Sequence, residues 1–302
     1  MSKIVNLVVF IDGTGNSSFK KPAKAKTNVA LLKDACSTDI CSAGNGADLE
    51  QRVYYKPGVG TRFWERWFGS TAGVWLEERV KESRSWLENE ITIAHEDGII
   101  PKVYIFGFSR GAYAARWLAN DLGEEIEFLG VWDTVKTTLK GPDVGQASDL
   151  IKRACHAMAI DEHRKLFGVT HFYPSPRVSE VWFPGCHCDV GGGYENNPLS
   201  SSALNWIARH AATCGLVIDW DKIPDEPDFS KMPVIHDEAA KWYWRTLNFF
   251  AGDSYCNREI LPSDIVYPTV DHLKMFDYAP DYLPMNCIVL NEQASQRYSN
   301  IV

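Results

Sequence analysis

Three residue types that cooperate in nucleophilic catalysis occur far apart in the chain, each beside a turn. They are Ser109 in Gly107-Phe108-Ser109-Arg110-Gly111, Asp133 directly after Glu127 to Trp132, and His187 in Pro184-Gly185-Cys186-His187-Cys188-Asp189. A Ser hydroxyl is a weak nucleophile near neutral pH and needs an adjacent base. His is the usual base, with an ordinary pKa of about 6.5. A carboxylate then holds the imidazole in the correct tautomer and stabilises the imidazolium. Together the three could form and resolve an acyl-enzyme. Other groups compete for these roles. His156 and His163 accompany Asp161 and Glu162 on Ala154 to Phe167, which reads as a half-exposed helix, and His272 lies near the C-terminus. Asp189 is the rival acid, on the same face as His187 if that segment is extended. The plainer readings make Ser109 a helix cap and Asp133 a loop-stabilising carboxylate.

Positioning these groups takes strands and sharp turns. Val103 to Phe106 is a β-branched and aromatic run, as expected of a buried parallel strand. Ala112, Ala114 and Ala115 follow Ser109 with helix propensity and little bulk. A G-x-S-x-G turn between strand and helix lifts the Ser hydroxyl above the sheet and aims the helix N-terminus at it. Val5 to Ile11, Gln51 to Lys56, Glu127 to Trp132 and Glu180 to Phe183 read as further strands. Asn28 to Ala35, Gly73 to Ala94 and Ser200 to Cys214 read as helices, and residues 137 to 152 as a loop. Alternation of this kind implies an α/β fold, a mostly parallel central sheet with helices on both faces. In such sheets ligands bind at the carboxyl ends of the strands. Four strands deliver Asp12-Gly13-Thr14, Ser109, Asp133-Thr134 and His187-Cys188-Asp189 to that edge.

An oxyanion produced there needs two backbone N–H donors. Arg110, the residue after the nucleophile, supplies one. Gly13 and Thr14 are placed for the second, because glycine lets a substrate approach the backbone closely. The competing reading of Asp12-Gly13-Thr14-Gly15-Asn16 is a phosphate loop with Asp12 as nucleophile, but no Walker lysine follows it. Cys186-His187-Cys188 is not a metal site if extended, since alternate side chains then face opposite sides. No metal or cofactor is expected.

The composition, 45% hydrophobic and 23% charged, is that of a soluble globular protein, and 302 residues can bury a large core. The net charge of -8 argues against a nucleic-acid partner. No apolar run approaches the ~20 residues that span a bilayer. The N-terminus has too short an apolar core for a signal peptide. Cytoplasmic synthesis follows as the expectation, with export by a signal-free route left open. The eight Cys form no C-x-x-C pair and read as buried thiols in a reducing compartment. Phe63, Trp64, Trp67, Phe68 and Trp75 cluster before and into the first long helix, either as core or as an apolar lid that could touch lipid. Trp117 reads as core.

The chain resembles the Tle1-like phospholipase domain, a DUF2235-type α/β-hydrolase of bacterial type VI secretion lipase effectors. The resemblance is carried by F-I-D-G-T-G-N (10–16), T-N-V (27–29), Y-Y-K-P-G-V-G-T (54–61), G-F-S-R-G-A-Y-A-A-R (107–116), F-L-G-V-W-D-T-V (128–135), H-A-M-A-I-D-E-H-R (156–164) and V-W-F-P-G-C-H-C-D-V-G-G-G-Y (181–194). Cys188 departs from the small residue expected there. The resemblance implies an α/β-hydrolase fold, ester hydrolysis and phospholipids as the substrate class. It supports Ser109 as nucleophile with Asp133 and His187 as partners, and it leaves Asp189 open as the acid. It also implies contact with a membrane surface and with a secretion apparatus or immunity protein. Effector relatives carry large extra regions, and none is expected from this sequence. One domain is expected over 1–302, with the core in about 1–220 and 221–302 an irregular, Pro- and Asp-rich extension wrapped on it. The alternatives are an esterase, thioesterase or amidase without lipid specificity, and a catalytically silent binding module on the same fold.

Overall fold

The structure is a computed structural model that describes residues 3–13, 26–36, 41–42, 48–58, 71–136, 141–195, 197–227, 229–241, 244 and 255–290. Its strands are β1 (Ile4–Ile11), β2 (Cys41–Ser42), β3 (Asp48–Lys56), β4 (Ile100–Phe108), β5 (Ile126–Trp132), β6 (Ala154–Ala159), β7 (Val178–Phe183), β8 (Ile265–Val266) and β9 (Ile288–Val289). The helices are α1 (Asn28–Ala35), α2 (Thr71–Glu96), α3 (Arg110–Asp121), α4 (His187–Gly191), α5 (Pro198–Thr213) and α6 (Thr269–Lys274). The strands form one sheet in the order β2-β3-β1-β4-β5-β6-β7-β8-β9. Among the described strands only β2 runs antiparallel to its neighbour; the other eight are parallel. This is the α/β-hydrolase-like architecture expected from the sequence.

Burial on both faces explains the unbroken apolar runs. Along β1, Val5, Leu7, Val9 and Ile11 pack under α2 and α3. Val8 and Phe10 face the opposite side, against α1 and α5. Helix α2 buries Leu76, Val80, Leu87, Ile91 and Ala94, a stripe at helical spacing. From β1 the chain steps outward to β3, then returns to place β4 on the other side of β1 and continues to β7. The reversal falls between β1 and β4. In open α/β sheets the crevice at such a point, outside the carboxyl ends, is where ligands bind. Asp12-Gly13 and Ser109 leave the sheet at those two ends.

Two segments differ from expectation. Ala154 to Ala159 is a fully buried strand, not a half-exposed helix, and His156 within it is inaccessible. Alanine suits a helix by propensity, but here small side chains fit a strand covered on both faces. The C-terminal stretch is also more ordered than its composition suggested: β8 and β9 extend the sheet beside β7. Ile260, Val266, Val270, Leu273 and Tyr278 form a third apolar cluster with Met158 and Trp182. The aromatic residues 63, 64, 67 and 68 lie outside the described residues, whereas Trp75 is half-buried with the Arg79 guanidinium 4.0 Å over its ring. Trp117 is half-buried against the first core face.

Candidate active site

Ser109 sits at the junction of β4 and α3 with φ 61° and ψ −125°. A positive φ is unfavourable for a residue with a Cβ and persists where the surroundings over-determine it. Here the turn is pinned on both sides. Ser109 N–H donates to the Trp132 carbonyl (3.0 Å), and the Ser109 carbonyl accepts from Val135 N–H (3.4 Å). The elbow is thereby tied to the loop after β5. Gly111 is required because a Cβ there would overlap the carbonyls of Ile11 and Asp12. Gly13 lies so close that a Cβ on it would stand 3.2 Å from Ser109 Cβ.

Asp133 and His187 meet although 54 residues separate them, with His187 Nδ1 2.6 Å from Asp133 Oδ2. Asp133 is fully buried and also has positive φ, 41°. Its N–H donates to the Ala157 carbonyl (2.7 Å), and its Oδ1 accepts from Ala159 N–H (2.9 Å). Burial alone would push its carboxyl up, but the Arg258 guanidinium, together with the hydrogen bond from His187, holds it far below the usual carboxylate range. An ionised Asp133 fixes the proton of neutral His187 on Nδ1 and leaves the Nε2 lone pair for proton acceptance. The imidazole packs on the Phe108 ring (centroids 4.6 Å) and against the edge of Phe167 (5.0 Å), so it lies beside the residue that precedes Ser109. Burial lowers its pKa, partly offset by Asp133. No hydrogen bond joins Ser109 Oγ to His187 Nε2 among the described residues; such bonds often form only once substrate is bound.

Asp12 is buried against the same crevice and accepts from Thr27 Oγ1 (2.8 Å), Tyr55 Oη (2.8 Å) and Gly13 N–H (2.7 Å). Desolvation raises its pKa to about 6 despite these donors. It anchors the loop after β1 and uses the Gly13 N–H in doing so. Thr14 lies outside the described residues.

The remaining candidates are placed elsewhere. His187 opens helix α4, so the Cys186-His187-Cys188 triplet is not extended, and Asp189 does not share a face with His187. Asp189 instead accepts from Cys186 N–H (3.0 Å), Asn197 Nδ2 (3.1 Å) and His236 N–H (2.9 Å), and pairs with His236 Nδ1 (2.7 Å). His272 is exposed on α6 and stacks on Phe229. His156 accepts from Thr134 N–H (3.0 Å) through Nε2 and pairs with Glu180 through Nδ1 (2.7 Å), which braces the turn next to Asp133. Among the described residues, no group of three or more His, Cys, Asp or Glu is placed to hold a metal ion. Of the described Cys, Cys36, Cys155 and Cys186 are buried, and Cys256 is exposed.

Sequence reasoning missed two contributors. Glu162 accepts from His187 N–H (3.3 Å) and is paired with Arg164 (2.6 Å). Had Ala154 to Ala159 been read as a strand, Asp161-Glu162-His163-Arg164 would have stood out as a fifth polar group at a carboxyl end. Arg258 donates to both oxygens of Asp133, at 2.5 and 2.9 Å. Nothing in Cys256-Asn257-Arg258-Glu259 announces that role.

The chain matches the catalytic domain of the T6SS Tle1-like phospholipase effectors over residues 5–124 and 120–210. No curated protein matches it. Among solved structures it is similar to an uncharacterized protein from Pseudomonas aeruginosa, at 22% identity and TM-score 0.49, covering 72% of this chain and 47% of that one. A Tle1 effector bound to the VgrG spike of a type 6 secretion system is similar at 20% identity and TM-score 0.44, covering 64% and 52%. A carboxylesterase from Bacillus cereus is similar at 14% identity and TM-score 0.34, covering 68% and 88%. The chain thus spans about half the length of the first two.

Proposed function

The chain belongs to the Tle1-like phospholipase effector family of type VI secretion, and on that premise we propose that it is a serine hydrolase that cleaves acyl esters, with phospholipids as substrates, through Ser109, His187 and Asp133. The observation that carries the reading is the buried pair of Asp133 with His187 Nδ1 at 2.6 Å beside Ser109 on a turn of positive φ. In this reading Ser109 Oγ attacks the acyl carbonyl carbon while His187 Nε2 takes the hydroxyl proton. Asp133 stabilises the resulting imidazolium without accepting its proton. The oxyanion lies against the Arg110 N–H and the Gly13-Thr14 loop. The Gly13 N–H is also engaged by Asp12 Oδ1 (2.7 Å). Collapse expels the alcohol, which receives the proton from His187. Water, deprotonated by the same imidazole, then releases the fatty acid and restores Ser109.

We further propose contact with a membrane surface, delivery by a secretion apparatus and a cognate immunity partner, in keeping with the description of the family as type VI secretion phospholipase effectors. No described helix is long and apolar enough to cross a membrane. The reading is tested by hydrolysis of phospholipid vesicles and short acyl esters by the purified chain, beside Ser109→Ala and His187→Ala. Each variant should lose on the order of 10⁴-fold or more in turnover. A folded wild type inert on every ester, or undiminished turnover in Ser109→Ala, contradicts it. A panel that includes thioesters and amides separates a lipid-specific enzyme from a broader one.

A further inference from the structure

The C-terminal stretch places one charged side chain in the machinery, and it comes from beyond the segment that matches the family, which ends at residue 210. Arg258 is 7% exposed and makes four hydrogen bonds through its guanidinium. Nη1 donates to Asp133 Oδ1 (2.5 Å) and to the Ala159 carbonyl (2.7 Å). Nη2 donates to Asp133 Oδ2 (2.9 Å) and to the Phe167 carbonyl (2.7 Å). The planar fork spans both carboxylate oxygens, a geometry that lysine cannot reproduce. The two carbonyls belong to the end of β6 and to the 3-10 turn Lys165–Phe167, whose Phe167 packs edge-on against the His187 ring. Arg258 therefore ties together the acid, the strand beside it and the aromatic wall of the base.

We infer that Arg258 is a positioning residue for the reaction: it locks Asp133 in the orientation that His187 needs and offsets its negative charge, so that hydrolysis requires the C-terminal stretch to be docked. The inference rests on the proposed roles of Ser109, His187 and Asp133. A carboxylate that faces only an imidazole stabilises the imidazolium strongly and would keep His187 protonated to higher pH. A guanidinium on the same carboxylate opposes that. Other charges around His187 are Glu162, which accepts its N–H, and Arg164 paired with Glu162. His156, paired with Glu180, accepts from the N–H of Thr134, the residue after Asp133. The Glu162 and Arg164 charges offset one another, which leaves Arg258 as the cation set directly on the acid.

A cavity of about 280 Å³ is lined by Arg258 together with Glu162, Arg164, Phe167, Asn257 and Glu259. It gives small cations a route to the site of a deleted guanidinium and so makes chemical rescue practicable. The test uses the full chain with Arg258→Ala and Arg258→Lys, and compares circular dichroism, kcat, KM and the pH profile. Arg258→Ala should lower kcat by on the order of 10²-fold, as expected for a misplaced catalytic group, with KM little changed. The acidic limb of kcat/KM should move up by about one pH unit or more. NMR titration of the His187 imidazole should move in the same direction, independently of turnover. Millimolar guanidinium should restore at least part of the lost kcat, and methylammonium should restore less. Arg258→Lys should fold and fall between the two. In an Asp133→Asn background, Arg258→Ala should add little. A folded Arg258→Ala with wild-type kcat and an unmoved acidic limb overturns the inference while the triad stands. If Asp133→Asn itself retains activity, the triad reading fails and the inference falls with it.

Discussion

At the scale of single residues, the site is built from groups whose environments pull against their ordinary ionisation. Asp133 is buried with no exposed surface, yet Arg258 and His187 keep it ionised. His187 is buried between two aromatic rings, and burial lowers its pKa despite the carboxylate on Nδ1. The sign of the expected pH dependence follows. A base must be neutral to accept the Ser109 proton, and a lowered pKa keeps it neutral to lower pH. The acidic limb of kcat/KM, which reports the free enzyme, should therefore fall below the ordinary His value of about 6.5. A limb well above 7 in a pH–rate profile would contradict this electrostatic account.

At the scale of elements, the carboxyl ends of β1, β4, β5 and β7 each supply one part, and the loops lock to one another through main-chain bonds. Asp12 is the anchor of the β1 loop, and its carboxyl is raised from the ordinary 3.8 to about 6. That rise corresponds to about 3 kcal/mol in favour of the protonated form. Between these two values the folded chain keeps a proton that the unfolded chain releases, so this group makes stability fall as pH rises through about 4 to 6. Urea unfolding of wild type and Asp12→Asn across that range should show the wild-type stability declining relative to the variant by up to about 3 kcal/mol. A difference that is constant with pH would mean that Asp12 does not titrate there. Four strand ends were legible in the sequence because parallel strands covered on both faces leave unbroken apolar runs, and polar groups must begin where those runs stop. Ala154 to Ala159 escaped the same reading because alanine carries no strand signal of its own; only the two covering layers make it a strand.

At the scale of the whole molecule, the site depends on contacts that span most of the chain. Arg258 reaches Asp133 across 125 residues, and Tyr278 and Tyr282 both donate to Asp161, which in turn accepts from the Gly185 N–H just ahead of His187. These long-range partners could not be read from the sequence. Arg258, Tyr278 and Tyr282 belong to no motif, and their roles follow from where β8, β9 and α6 dock the segment that carries them. The catalytic constellation is accordingly a property of the folded chain and not of any one motif. The most direct test is treatment of the chain with a fluorophosphonate that traps activated serines, followed by intact mass and peptide mapping, folded and in urea. One adduct is expected, on Ser109, formed rapidly when folded and lost in urea, in Ser109→Ala and largely in His187→Ala. No adduct on the folded chain, or one on a different residue while Ser109 stays unmodified, would contradict this expectation.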